Sequence, residues 1–362
     1  MIESDIAKRS FNAAVKPGRF SDSPLERLVT SHDLAPMPKI AGLAFKMMPD
    51  VVVCPKEPEE VAEVVRIANS WNWPVTPRGA ASWGFGGAVP NKGGVLLDMA
   101  SMDRISGLDV ERGSVRVQPG VVWRRLDEWL SRRGYFVPYY PSSAPGATIG
   151  GWISTGGVGI GSYRYGAARD NVRNLQIVLP SGQMLNTAHI LDSKHPSQFD
   201  LTSLVIGAEG SLGIVTTIDL QVYPKPEAFV PTTYSFPDMD HVFSVLVQIS
   251  QVTLKPYHVA FVDGNYFRFL KAMGREAIET GGIVNLVFEG PKAEVEDEIR
   301  YFDALMASMG GTRLSDEIAQ HEWKERSYEL RSKKLGTGAV IGEALVPVDQ
   351  GMLVTRETLE LV

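Results

Sequence analysis

The 362-residue chain has one cysteine, Cys54, so no disulfide can form within it. A lone thiol suits a reducing cytoplasm, and it excludes a four-thiolate iron–sulfur cluster held by this chain alone. Histidine is scarce as well. His32, His189, His195, His241, His258 and His321 include no pair with metal-ligand spacing and none beside a glycine loop, so no metal site is expected and each reads as an ordinary surface or loop histidine. No apolar run approaches ~18 residues, which excludes a membrane-spanning helix, and the N-terminus has no signal-peptide core. The net charge of −6 argues against nucleic acid as a partner and against electrostatic docking on an anionic membrane. No strand leads into Gly-x-Gly-x-x-Gly and no loop closes with Gly-Lys-Ser/Thr, which removes the two common phosphate fingerprints and an NAD-type Rossmann reading.

Glycine, in contrast, is plentiful, with 35 residues. It concentrates in three segments: "TPRGAASWGFGGAVP" (76–90), "YYPSSAPGATIGGWISTGGVGIGSYRYG" (139–166) and "GAEGSLGIVT" (207–216). Glycine in such density means left-handed backbone or close approach by another molecule. Successive bare N–H groups form anion-binding concavities without help from lysine. Three such segments point to one extended, phosphate-containing ligand, with a dinucleotide the obvious candidate.

At this length two domains are expected, and 44% hydrophobic with 22% charged residues describes a globular protein. Residues 1–48 read as a helical lead-in with proline-rich turns ("APMPKIAG"). "DVVVCP", "KEPEEVAEVVRIANSWN" and "WPVTP" form a strand–helix–strand unit, with Val61, Val64, Val65 and Ala68 on one helical face. Cys54 reads as a small buried hydrophobe, and Trp71 and Trp73 as core. Arg78 is expected to orient its own loop, and Arg132 and Arg133 to sit at a solvated helix end. The texture changes at Pro224 and Pro226. From 227 onward strands and helices alternate in an order that predicts a ferredoxin-like α+β domain. It is followed by a long charged helix, "SDEIAQHEWKERSYELRSKK", capped by Ser315 or Asp316. The chain then begins a new strand and helix and stops at Val362.

The order Pro77-Arg78-Gly79-Ala80-Ala81-Ser82, then Pro141-Ser142-Ser143 with Thr148-Ile149-Gly150-Gly151, then Gly207-Ala208-Glu209-Gly210-Ser211-Leu212-Gly213-Ile214 resembles one family. It is the FAD-binding fold of the vanillyl-alcohol oxidase/p-cresol methylhydroxylase (PCMH) type, in its glycolate oxidase FAD subunit and D-lactate dehydrogenase branch. The resemblance carries specific motifs over residues 49–226 and only an outline over 227–362. It implies an α+β architecture: a two-subdomain PCMH-type FAD-binding domain followed by a partial ferredoxin-like cap.

By the same resemblance Pro77, Arg78, Gly79, Ala80, Ala81, Ser82, Trp83, Gly86 and Gly87 wrap the FAD pyrophosphate. Pro141, Ser142, Thr148, Gly150, Gly151, Thr155, Gly156 and Gly159 line flavin and pyrophosphate. Glu209, Gly213 and Ile214 border the adenosine end, Ile214 through its backbone. Relatives tend to carry Asn-Ala-Gly-Gly near 156–159. This chain has Gly156-Gly157-Val158-Gly159, so its flavin-side loop must be repacked, and Arg164 and Tyr165 just beyond it are weak candidates to face the flavin. Some members tether FAD through a histidine near the first loop; Ala80 to Trp83 contain none, which implies non-covalent FAD and favours a dehydrogenase over an oxidase.

Oxidising a 2-hydroxy acid needs a group for the carboxylate and a base for the hydroxyl proton. "HEWKERSYELR" resembles the branch's Trp-x-x-Arg pattern and makes Arg326 the candidate carboxylate clamp, against a plain surface reading in which it pairs with Glu322 or Glu329. No base is identified. The histidine-rich stretch that carries the base in relatives lies beyond Val362, so a fragment, a pocket completed by another subunit and an altered function all stay open; Glu343 fills a slot where relatives carry an acid. The resemblance implies an FAD-dependent dehydrogenase for a small 2-hydroxy acid of D-lactate or glycolate type. Electrons would pass to an iron–sulfur subunit, an electron-transfer flavoprotein or a quinone. The alternative is an FAD-binding electron-transfer or scaffold subunit of a larger hetero-oligomer. The expected location is the cytoplasm, with peripheral attachment at the inner membrane face compatible.

Overall fold

The computed structural model describes residues 2–34, 45–187, 200–327 and 343–361. The chain divides into two compact units, Met1–Gly159 with Gly166–Pro224, and Ile160–Tyr165 with Lys225–Val362.

The first unit opens with α1 (Ile2–Ala13), β1 (Phe20–Ser21), α2 (Pro24–Val29), β2 (Val51–Val53), α3 (Pro58–Ser70), β3 (Val75–Arg78) and β4 (Val95–Asp98). All three valines of β2 are buried, as expected of a strand covered on both faces. It pairs in parallel with β4, which pairs in parallel with β3, while β1 adds an antiparallel edge. Helix α3 starts where Pro58 takes the first turn and Glu60 reaches back to accept from the Glu57 N–H at 3.3 Å. Its Val61, Ala62, Val64, Val65 and Ala68 are buried at helical spacing. They join a core completed by Ala7 and Phe11 of α1 and by Val15 just after it, with Trp71 and Trp73 packed against it. Phe11 meets Trp73 at 5.5 Å between ring centroids. Cys54 is half-buried, and burial pushes its thiol up to about 11, which fits an inert structural thiol.

Arg78 does not brace its own loop. Its Nη1 donates to the backbone carbonyls of Thr30 (3.3 Å) and His32 (2.7 Å), tying the segment after α2 to the end of β3. Burial holds the guanidinium below its ordinary range, with Asp98 and Asp33 working against that. An Arg78→Met protein is therefore expected to lose about 1–2 kcal/mol, because a partly buried carbonyl and an exposed one lose a charged donor; the midpoint of denaturant unfolding measures it.

The second sheet uses β5 (Ile105–Asp109) and β6 (Ser114–Val117). After them come α4 (Trp123–Ser131), β7 (Tyr135–Phe136), α5 (Ile149–Ser154), β8 (Val172–Val178), β9 (Met184–Asn186), β10 (Ile214–Gln221) and β11 (Tyr223–Pro224). Five of these strands form an antiparallel sheet in the order β5-β6-β10-β8-β9, and β7 pairs with β11 separately. Alternation buries Val115 and Val117 and leaves Arg116 outward, where it forks onto Asp219 at 2.7 and 2.8 Å. At the end of α4, Arg133 lies over the Trp129 ring, 3.6 Å from its centroid, so this helix end is stacked as well as solvated.

The second unit runs β12 (Ala228–Phe236), α6 (Met239–Gln251), β13 (His258–Asp263), α7 (Gly264–Ala272), β14 (Gly282–Gly290), α8 (Lys292–Ser308), β15 (Thr312–Arg313), α9 (Asp316–Glu325) and α10 (Gly351–Leu361). Its antiparallel order, β13-β14-β12-β15, is the ferredoxin-like arrangement, with α7 as an additional helix between the second and third strands. Ser315 is the residue that caps α9, accepting from the Ile318 N–H at 3.4 Å. The continuation of that charged helix past Ser327, with Glu329, lies outside the described residues, as do the turns at 35–42, His189 and His195.

Candidate functional site

The three glycine-rich segments meet in the first unit. Loop 79–87 leaves the end of β3, and Gly79 lies against Thr148 and Gly151 so closely that a Cβ on it would stand 2.3 Å from Thr148 Oγ1. Thr148 precedes α5 and is 2% exposed, yet its hydroxyl has no hydrogen-bond partner among the described residues. A buried hydroxyl without a partner is costly, and it is the type of atom a bound polar ligand satisfies. The third segment closes the arrangement. Glu209 N–H donates to the Ser154 carbonyl at 2.9 Å, Glu209 Oε2 would lie 3.7 Å from a Cβ on Gly87, and Gly210 packs on the Pro77 ring.

Backbone strain gathers here too. Among the described residues, non-glycine positions with left-handed backbone are Met47, Asn72, Ala81 and Glu209, so two of the four belong to these loops. Such residues cost about 1 kcal/mol or more and persist where function retains them. Apart from the Glu209 carboxylate beside Gly87, the side chains of loop 79–87 and the Thr148 hydroxyl are neutral, so an anion such as a diphosphate would be met there by backbone N–H groups.

Other expected residues are placed more variously. Gly150 is required by close packing, since a Cβ there would stand 2.3 Å from Pro119 Cβ. Pro141 is buried in a turn whose carbonyl accepts from Ala144 N–H, and Gly159 packs on that turn. Thr155 donates its hydroxyl to the Trp152 carbonyl at 2.9 Å, leaving its oxygen as an acceptor. Gly213 lets β10 approach β8, and the Ile214 side chain belongs to the core, so only its backbone is open to a ligand. Trp83 and Phe85 are exposed and tilt against each other at 5.4 Å, while Ala80, Ser82 and Ser142 sit in the same loops. Arg164 and Tyr165 do not belong with these loops; both hold Glu289 in the second unit. Gly207 and Gly210, both left-handed, were readable as part of the third segment but not as packing partners of Gly156 and Pro77.

The second unit brings together groups far apart in the chain. Arg326 lies over the Trp323 ring at 3.9 Å and donates to the Trp323 carbonyl at 2.6 Å. His258, on β13, meets the other side of this cluster with its ring 6.0 Å from Trp323, and Tyr257 and Phe229 complete an aromatic group. Burial first, and the Arg326 charge second, hold His258 down at about 4. Its imidazole is thus neutral at ordinary pH, a partner that residue order alone did not reveal. The sign follows directly: stability is full above the usual 6.5 and is lost as pH falls through about 4, because folding then forces charge onto a buried ring. A His258→Asn protein should lose less stability over this acid window, as measured by denaturant midpoints across it.

Comparisons with known proteins give the family of both regions. Residues 49–188 match the FAD binding domain family and residues 225–362 the FAD linked oxidases, C-terminal domain. The chain is 31% identical to D-lactate dehydrogenase (cytochrome), mitochondrial, of Arabidopsis thaliana over 87% of its own length and 56% of that protein's. It is 30% identical to the glycolate oxidase subunit GlcD of Bacillus subtilis, over 91% of this chain and 68% of that one. The chain therefore spans little more than half of the first relative. In fold it is similar to an alkyldihydroxyacetonephosphate synthase structure (TM-score 0.76, 23% identity, 90% of this chain and 63% of that chain). It is also similar to p-cresol methylhydroxylase with substrate bound (TM-score 0.72, 18% identity, 90% and 69%). With the two family regions following one another along the chain, and with the match to the glycolate oxidase subunit, the chain belongs to the FAD-linked oxidase family, in the branch of D-lactate dehydrogenase and the glycolate oxidase subunit.

Proposed function

We propose that this chain is an FAD-dependent dehydrogenase that oxidises a small 2-hydroxy acid of the D-lactate or glycolate type and passes the electrons to a partner protein or quinone. The observation that carries the reading is the meeting of the three glycine segments, with the buried Thr148 hydroxyl, which has no partner among the described residues, beside Gly79 of the first. When bound, FAD supplies the acceptor for the substrate's hydride. The amides of Gly79, Ala80, Ala81, Ser82, Gly86 and Gly87 hold its diphosphate, and Thr148 Oγ1 donates to it. Segment 141–159 lines the ring, and Glu209 with the Ile214 backbone borders the adenosine. No histidine stands at 80–83, so the cofactor is held without a covalent tether.

Arg326, kept flat by Trp323, presents its outer edge to a substrate carboxylate. His258 stays neutral beside it and accepts a hydrogen bond without competing for the anion. With Cys54 as its one thiol, the 362-residue stretch cannot hold a four-thiolate cluster by itself, so an iron–sulfur relay, where one is used, lies outside it. Among the described residues no helix is long and apolar enough to cross a membrane, and the reading places the protein in the cytoplasm or peripherally at the inner face of the membrane.

The test is direct. The purified protein should be yellow and lose its flavin to the supernatant on acid precipitation, and anaerobic D-lactate or glycolate should bleach its visible flavin band. A yellow protein that dithionite reduces and no hydroxy acid bleaches would favour an electron-transfer or scaffold subunit instead.

A further inference from the structure

Strand β14 reads "GIVNLVFEG", an apolar run broken by Asn285. Asparagine is a poor strand former, and this one lies in a central strand, between β13 and β12. Alternation divides the sheet. Val284, Leu286 and Phe288 join the core under α6 and α8, so Asn285 belongs to the opposite face, with Val287 and Glu289. Its cross-strand neighbours there are Thr233 on β12 and Ala260 on β13. His258, paired with Val287, is its diagonal neighbour, about 7–8 Å away. One row beyond, Phe229 faces Glu289 and packs on Trp323, the ring that carries Arg326. Arg326, His258 and Asn285 thus follow one another along one sheet face. The Thr233 hydroxyl, on a residue 1% exposed, donates to Asn285 Oδ1 at 2.6 Å. That bond occupies the amide oxygen and fixes which way the amide faces. Asn285 Nδ2 donates to no described residue, and Asn285 is half-buried beside Ala260, whose side chain is a single methyl group.

We propose that Asn285, aimed by Thr233, determines the specificity of the site that Arg326 and His258 mark, its Nδ2 donating to an oxygen at the far end of the substrate. The substrate is then a 2-hydroxy acid longer than lactate or glycolate, with a second carboxylate or carbonyl group to accept that bond. Lactate ends in a methyl group and offers Nδ2 nothing. A donor built into a site rejects a ligand that lacks the matching acceptor, because the donor is desolvated and left unpaired. Thr233 acts only through Asn285 and is a positioning residue. The inference rests on the reading of Arg326 as the carboxylate clamp.

The test uses succinate, succinamate and butyrate, which share a chain length and one carboxylate, lack the hydroxyl to be oxidised, and differ at the far end. The purified full-length protein is titrated with each, and the His258 imidazole NMR signals report binding whatever the flavin does. Succinate and succinamate should both bind about tenfold more tightly than butyrate, and Asn285→Leu should bring all three to the butyrate value. Thr233→Val should lose most of the preference, and Thr233→Ser should keep it. In the reaction, D-malate should bleach the flavin at lower concentration than D-2-hydroxybutyrate. A preference that survives Asn285→Leu, with a lower unfolding midpoint as the only effect, would make the Thr233–Asn285 bond a cross-strand brace and overturn the proposal. Three equal affinities in the parent protein would overturn it too. Failure of every hydroxy acid to bleach the flavin would instead sink the dehydrogenase reading, and the succinamate-to-butyrate ratio would still decide the role of Asn285.

Discussion

A Thr148→Val protein should fold at least as stably as its parent and bind FAD about ten- to a hundredfold more weakly. The two effects have one origin. The Thr148 hydroxyl is buried and makes no hydrogen bond among the described residues, and it does not cap α5 although it occupies the capping position. Valine fills nearly the same space without that desolvated oxygen, so the unliganded protein gains up to about 1 kcal/mol. The bound form loses a donor to a charged phosphate, worth about 1.5–3 kcal/mol. Thermal unfolding of the apoprotein and an FAD titration read the two halves separately. Loss of both stability and affinity would make Thr148 a packing residue, and unchanged affinity would remove it from the site.

Arg326→Met should weaken binding of the hydroxy acid by about a hundredfold or more while leaving the flavin spectrum unchanged. Methionine keeps the apolar contact with Trp323 and deletes only the charge, so folding is not the expected casualty. Lysine should rescue little, because an ammonium group neither stacks flat nor forks onto a carboxylate. Anaerobic reduction at varied substrate concentration separates binding from the reaction step. An independent readout comes from His258: without the Arg326 charge its titration should move up from about 4, visible in the imidazole NMR signals. Reduction unaltered by the substitution would leave Arg326 as a lid on Trp323 and nothing more.

Local signals made much of this protein legible, and long-range ones did not. The β2–α3–β3 unit was readable because Val51–Val53 form an unbroken apolar run, and Val61, Val64, Val65 and Ala68 repeat at helical spacing. The three glycine-rich segments that the structure brings together were readable from composition, since bare backbone at that density points to tight turns or close approach. What stayed hidden depends on partners distant in the chain. Arg78 sits inside the motif, so it looked like a loop brace; its carbonyl partners are 46 and 48 residues earlier. Arg164 and Tyr165 lie within a glycine-rich segment, and nothing local signals that their partner is Glu289, more than a hundred residues on. His258 read as an ordinary surface or loop histidine, and only the packing of β13 and α9 puts it, buried, beside Trp323.

Phe11, wedged against Trp73 and wholly shielded from water, has a practical corollary for anyone preparing this protein. The recognised cofactor-binding region begins at residue 49, and trimming an expression clone to that point is tempting. Doing so would strip Ala7, Phe11 and Val15 off the α3 side of the sheet and leave a greasy trough in their place. The shortened polypeptide should then come out as inclusion bodies, a result easily mistaken for a failure to take up its prosthetic group.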